Sequence, residues 1–289
     1  MLTVVQRGGA TREKPPEIVR GMASRLSWAW DGLCFAVPFN DATRDSARDL
    51  VVNSPPSTVI GLGWTKDNRG NPSALITNVG DNYIGYSDNP QLTRPSTALT
   101  VYARIQRRGT FDVSGGVITK RYSNAAPYQS YGIYGSDTTT NALSAQIVTT
   151  TSVSANDYLD NSYVLDTTTW YSVFFRWTTG TAPRFDVLGE RGQTLANTVL
   201  GYTVGGTIMY ITGEPLRING DQDGTKNGNF AYSQTMVWSR RLTDTELQAL
   251  VADPFGWYSP RRETLGVSSP YPLLAGGSLL QEVSSGQEQ

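Results

Sequence analysis

The stretch Phe230–Pro254, FAYSQTMVWSRRLTDTELQALVADP, runs from an alternating strand pattern through a basic pair into one short capped helix. Ala231, Ser233, Thr235 and Val237 alternate with Phe230, Tyr232, Gln234, Met236 and Trp238. That period of two predicts a strand with the larger apolar and aromatic groups on one face. Thr243 and Glu246 then stand at capping-box spacing. The hydroxyl accepts from the amide of the third helical residue, and the carboxylate reaches back to the cap amide. Leu247 and Leu250 supply the buried stripe, and Pro254 ends the helix. A single late helix in an otherwise strand-like chain predicts an all-β fold.

Upstream, turn chemistry punctuates further strands. Val59–Trp64 precedes KDNRGNP, Leu75–Asn78 precedes GDN, and Tyr83–Tyr86 precedes SDNP. Leu99, Val101, Ala103 and Ile105 alternate with Thr100, Tyr102, Arg104 and Gln106, the pattern of a half-buried strand. Gly116–Arg121, Tyr131–Tyr134 and Leu143–Thr149 follow at hairpin spacing. In Trp170–Trp177 apolar groups fall on both faces, which predicts a central strand covered on both sides, with Arg184–Leu188 as its hairpin partner.

These residues resemble the laminin G-like, concanavalin A-like jelly roll, in which a late strand ending Trp-x-Arg precedes a helix of the kind L-T-x-x-E-x-x-x-L. The matching residues are Trp238, Arg240, Leu242, Thr243, Glu246 and Leu250, and looser matches extend from Leu33 to about Tyr258. The run DPF-x-x-Y-x-PRR, Asp253–Arg262, is similar to sequences found in virion structural proteins of tailed bacteriophages. The resemblance implies a jelly-roll sandwich over residues 31–258, between an extended basic arm (1–30) and a C-terminal tail (259–289).

The 289 residues suit one large all-β domain with extensions, and 38% hydrophobic residues provide ample core material. The net charge of −1 argues against a surface built to bind nucleic acid. Within the arm, Arg7, Arg12, Lys14, Arg20 and Arg25 stand against Glu13 and Glu17, a net of +3. With Trp28 and Trp30 as aromatic anchors, the arm is a candidate for assembly contacts; a solvated extended segment is the alternative. The single cysteine, Cys34, excludes an intrachain disulfide. The absence of histidine excludes Ser-His-Asp and Cys-His catalysis and His-ligated zinc. Met1–Val5 is too short for a signal peptide, and no run approaches membrane-spanning length. The expectation is synthesis in a host cytoplasm and display at a virion surface.

Three chemistries bear on these residues. The glucanase branch of the resembled fold needs paired carboxylates on one strand, and no E-x-D-x-x-E or E-x-D-x-E spacing occurs, so a non-enzymatic protein is expected. Asn219, Asp221 and Asp223 before Gly224 match the first half of a calcium loop, but Phe230 stands where the bidentate glutamate belongs. A plain Asp-Gly turn explains the same residues, so the expected cofactor is none, with calcium the alternative. Finally, RYSNAAPYQSYGIYG gathers Tyr122, Tyr128, Tyr131 and Tyr134 with Asn124 and Gln129. Aromatic faces stack on sugars and amides bond hydroxyls, which makes this the glycan-site candidate. The resulting expectation is a homo-oligomeric capsid decoration protein with other virion proteins as partners. A tail or head fibre adhesin for surface glycans is the alternative, and a polysaccharide hydrolase a third.

Overall fold

The computed structural model describes residues 26–39, 47–76, 82–120, 130–151, 157–210, 212–220 and 228–257. The strands are β1 (Leu33–Val37), β2 (Thr58–Val59), β3 (Leu62–Lys66), β4 (Pro72–Ile76), β5 (Ile84–Tyr86), β6 (Ala98–Arg107), β7 (Gly116–Lys120) and β8 (Tyr131–Gly135). They continue with β9 (Leu143–Ile147), β10 (Asp157–Asp160), β11 (Trp170–Thr178), β12 (Arg184–Leu188), β13 (Thr194–Val199), β14 (Leu216–Ile218) and β15 (Phe230–Trp238). One helix, α1 (Asp244–Ala252), follows β15.

Among the described residues the strand pairings are antiparallel and form two sheets. The larger runs β13-β12-β11-β6-β15-β4-β3, with β1 beside the C-terminal half of β15 on the edge whose other half pairs β4. The smaller runs β10-β9-β8-β7-β14-β5-β2. Between the sheets lies the main core, including Phe35, Val101, Ile118, Ile133, Phe175, Trp177 and Tyr232. The expected all-β sandwich with one short late helix is therefore the architecture observed.

A second apolar layer covers the outer face of the eight-stranded sheet. Tyr102, Phe174, Met236 and Trp238 pack there against Leu247, Leu250 and Val251 of α1 and against Trp257. Each leucine so buried is worth roughly 1.5–3 kcal/mol relative to exposure. The capping box forms as expected: Glu246 N donates to Thr243 Oγ1 at 3.2 Å, and Thr243 N donates to Glu246 Oε2 at 2.7 Å. The helix start is fixed to the sheet by Arg176, which is 2% exposed. Its guanidinium bonds Asp186 Oδ2 and Asp244 Oδ1, each at 2.7 Å, and Leu242 O at 2.9 Å.

This layer overturns the half-buried reading of β6. Leu99, Val101, Ala103 and Ile105 face the main core, but the alternate set is buried too. Tyr102 stacks on Phe174 at 4.5 Å, Arg104 pairs with Asp67 at 3.0 Å, and Gln106 donates to Thr168 O at 2.8 Å. Polar residues alternate here because they bond neighbouring elements, not because water covers that face. The segment read as one strand, Val59–Trp64, divides between the sheets as β2 and β3, with Gly61 at φ +65° between them.

Residues 26–30, counted with the arm from sequence, pack on the domain. Ser27–Trp30 forms a 3-10 turn, and Leu26 N donates to Gly256 O at 3.2 Å. Trp30 lies 5.5 Å from the Trp257 ring and donates its indole N–H to Trp257 O. Trp28 lies under the Arg240 guanidinium, 5.6 Å away. The two half-buried tryptophans assigned to assembly pack against the second layer, on the apolar surface that α1 leaves beside them. Arg7, Arg12, Lys14, Arg20 and Arg25 lie outside the described residues.

Candidate functional site

The outer face of the seven-stranded sheet carries the arrangement closest to a binding site. Cross-strand partners point to the same side of a sheet, so register defines rows. One row, Val59–Ile84–Ile218–Ile118–Ile133–Ala145–Leu159, faces the core and is aliphatic throughout. One residue along, the opposite row is Thr58–Gly85–Arg217–Thr119–Gly132–Gln146. At about 4.8 Å per strand this row spans roughly 24 Å.

Two glycines in the row make room for rings. A Cβ on Gly132 would stand 2.7 Å from Cε2 of Tyr134, and one on Gly85 would stand 3.3 Å from Cε2 of Tyr83. Both tyrosines therefore lie along the sheet. Arg217 stands beside Tyr83, with its guanidinium carbon 5.7 Å from the ring centroid. Thr119 donates to Gly220 O at 2.9 Å, and that backbone crosses so close to Gly116 that a Cβ there would lie 2.6 Å from Gly220 C. Beyond Gly132, Ser144 pairs Asp160 and Tyr134 in the adjoining row.

Several polar atoms on this face have no hydrogen-bond partner among the described residues: Gln146 Nε2, Arg217 Nε and Nη1, and Asp160 Oδ1. Gln146 is only 3% exposed. A buried donor without an acceptor costs about 1–3 kcal/mol. Donors, an acceptor and flat rings in one plane are the groups that a polyhydroxylated ligand needs.

The sequence-assigned glycan residues divide. Tyr131 is 0% exposed, faces the main core and donates to Leu92 O at 3.2 Å; burial holds its hydroxyl well above the usual tyrosine range. It cannot stack on a sugar. Three residues on, Tyr134 emerges on the opposite face of the same strand, although at 2% exposure it lies pressed to the sheet and not out in solvent. Tyr122, Asn124, Tyr128 and Gln129 lie outside the described residues. The residues that sequence reasoning missed are Gln146 and Arg217. The second lay in a segment read only as a turn, and its three-residue strand is too short to show a period.

The first residue of the calcium reading is Asn219. Asn219 sits at φ +66° and is 0% exposed. Its amide donates to Asn82 O at 3.0 Å and Gly228 O at 3.3 Å, and its Oδ1 accepts from the Tyr232 hydroxyl at 3.1 Å. Asp221 and Asp223 lie outside the described residues. Among the described residues no cluster of three or more Asp, Glu, Cys or His side chains could hold a metal.

Five of the described carboxylates are engaged by cations or backbone amides. Asp67 pairs Arg104, Asp88 pairs Lys120, and Asp186 pairs Arg176. Glu190 accepts from Trp170 N and Glu246 from Thr243 N.

No family model matches the chain, and no curated protein matches its sequence. Solved structures do match. The binding domain of Paraclostridial Mosquitocidal Protein 1 is 14% identical over 78% of this chain and 52% of that one, with a TM-score of 0.57. Domain 4 of AbnA, a GH43 extracellular arabinanase from Geobacillus stearothermophilus solved with arabinotriose, is 12% identical over 76% and 98%, at 0.53. The binding domain of Botulinum Neurotoxin DC, solved with SialylT, is 11% identical over 77% and 51%, also at 0.53. The fold is a jelly-roll sandwich. The chain spans about half the length of the toxin domains and nearly all of the arabinanase domain.

Proposed function

We propose that this protein is a non-enzymatic, glycan-binding sandwich that uses the outer face of its seven-stranded sheet for adhesion. The observation that carries this reading is the sandwich fold shared with domains solved with arabinotriose and SialylT, and the face proposed for adhesion holds the Arg217–Thr119–Gly132–Gln146 row with a tyrosine ring seated on each flanking glycine. Amide and guanidinium groups bond saccharide hydroxyls, and flat rings suit pyranose faces. Two solved relatives in fold carry a saccharide or SialylT, which favours recognition as the use of this architecture. No E-x-D-x-x-E or E-x-D-x-E strand supplies the paired carboxylates of hydrolysis, which supports binding without hydrolysis.

The test is a glycan array followed by calorimetry, with the wild-type protein and Gln146→Leu. Binding to a defined saccharide class that falls at least tenfold in the variant, with no sugar released on prolonged incubation, is the expected result. Absence of binding, an unaffected variant or measurable hydrolysis overturns it.

A second reading is display on a virion as a homo-oligomer, favoured by the Asp253–Arg262 resemblance. Capsid decoration ranks below adhesion because Trp28 and Trp30 are engaged within the fold. Deleting residues 1–25 separates the two roles: particle incorporation is lost under the decoration reading, whereas glycan binding persists under the adhesin reading.

A further inference from the structure

We infer that the edge strand β13 is a self-association surface, to which a second copy of this chain adds its own β13 antiparallel, so that the two eight-stranded sheets continue into one. This goes beyond the glycan-binding reading and gives the homo-oligomer of the second reading a contact surface. Sheet edges that do not associate are blunted by charge, shortness or cover. Among the described residues the other edges are blunted in these ways. The free side of β1 is covered, since Leu50 N donates to Ala36 O and Ala36 N to Asp49 Oδ1. β2 has two residues, β3 ends on Lys66, and β10 has an aspartate at each end of its four residues. By contrast β13, TLANTV, has six residues with no charge and no proline. Its Val199 is 52% exposed, and no other large hydrophobic side chain in a described strand is left in solvent to that extent.

The ladder to β12 shows which backbone groups are free. Leu200 N donates to Pro183 O at 3.0 Å, with Val199 opposite Arg184 and Asn197 opposite Asp186. Backbone groups alternate sides along a strand, so Ala196, Thr198 and Leu200 turn theirs toward β12 while Asn197 and Val199 turn theirs outward. Among the described residues no backbone bond from another segment engages either of these two. Leu195 falls at the register shift between Val187 and Leu188 and does not extend the outward set. One antiparallel register lets both outward residues of each copy bond both outward residues of the other. It sets Asn197 opposite the second copy's Val199 and the reverse, with Thr198 facing its counterpart across a twofold axis. No charge meets its like, the threonines form a favourable cross-strand pair, and Val199 is covered. Cross-strand partners point to the same side, so the seven-stranded sheets of both copies lie on one side of the joined sheet. Their outer faces turn the same way and can engage a multivalent surface together.

The experiment measures the mass of the full chain by sedimentation equilibrium over a range of concentrations. Wild type is compared with Val199→Pro, which removes an outward N–H that a free edge does not need, and with Val199→Lys, which adds charge to the edge. Each variant is first checked for an unchanged thermal midpoint. Wild type is expected to reach twice the chain mass, and both variants should weaken the dimer at least tenfold. Under mild oxidation Thr198→Cys should form a covalent dimer, because facing residues of a non-hydrogen-bonded pair stand about 4.5 Å apart at Cα. Cys34 is buried, and Val113→Cys, at a position 54% exposed outside β13, should stay monomeric under the same oxidation. A monomer at every concentration overturns the inference and removes the homo-oligomer with it. A dimer that both Val199 variants leave intact overturns the inference and moves the contact elsewhere, as does cross-linking of Val113→Cys as readily as Thr198→Cys. Should a Val199 variant fail to fold, the cross-linking decides. Saccharide binding is read separately on the array and stands or falls by itself.

Discussion

The indole N–H of Trp257 donates to Oε1 of Gln234 at 3.0 Å, and both side chains are fully buried. Gln234 is thereby completed on both ends, because its Nε2 donates to the Tyr102 hydroxyl at 3.0 Å. A polar residue in the middle of β15 is thus satisfied by the segment that follows α1, closing the second layer over the eight-stranded sheet. Trp257→Ala removes a large buried ring and leaves Gln234 Oε1 unpaired. The expected loss is about 3–5 kcal/mol from the ring alone. Trp257→Leu restores part of the packing but not the hydrogen bond. Urea unfolding of the two variants separates packing from pairing.

Asp186 is the partner on which buried Arg176 depends, and its Oδ1 also accepts from Arg184 Nε at 2.8 Å and from Asn197 Nδ2. Asp186→Ala should cost about 3–5 kcal/mol, since it leaves a buried cation short of charge. Asp244→Ala should cost much less. Its carboxylate is 68% exposed and is screened by water, although the Arg176 hydrogen bond holds its pKa below the usual range. Comparing urea midpoints for the two variants checks the ranking.

Asp49 is 1% exposed, and burial raises its pKa to about 6. Its Oδ1 accepts from Ala36 N at 3.1 Å and Val51 N at 3.0 Å, while Oδ2 has no partner among the described residues. The folded state holds this proton more tightly than the unfolded chain. Its contribution to stability is therefore complete below about pH 4, falls as pH rises through about 6, and is flat above. Two pH units correspond to about 3 kcal/mol. Asp49→Asn keeps the Oδ1 acceptor without the charge. The variant should gain roughly 1–3 kcal/mol at pH 7.5 and show no gain at pH 4. Urea midpoints of both proteins across that range give the difference, in which the other carboxylates cancel.

Gly132→Val places branched carbon atoms where Tyr134 lies, within 2.7 Å of its ring. The tyrosine must lift from the sheet. Saccharide affinity should drop at least tenfold while the helix-side layer stays intact, which the near-ultraviolet signal of its tryptophans reports.

Chelation with EDTA should leave saccharide binding unchanged. The Asn219 carboxamide is committed to Asn82, Gly228 and Tyr232, and the proposed site contains one described carboxylate, Asp160. Loss of affinity on chelation, restored by added calcium, would return Asp221 and Asp223 to the site.

Local periodicity determined much of this protein. Hydrophobic alternation predicted β6 and β15, apolar groups on both faces predicted β11, and the Thr243–Glu246 spacing predicted the helix start, because strand faces and caps depend on residues within a few positions of one another. Short or exposed strands such as β13 and β14 carried no such signal, since three residues cannot define a period and the edge strand is never fully buried. Only the tertiary structure decided which faces see water. The polar set of β6 became interior once α1 and Trp257 covered it, and Trp28 and Trp30 turned inward to the same layer. Register across seven strands sent Tyr131 to the core and aligned Arg217 with Gln146 on the opposite face. These residues lie far apart in the chain, and the backbone hydrogen bonds that bring them together are indifferent to side-chain identity. Their meeting is a property of the assembled sheet.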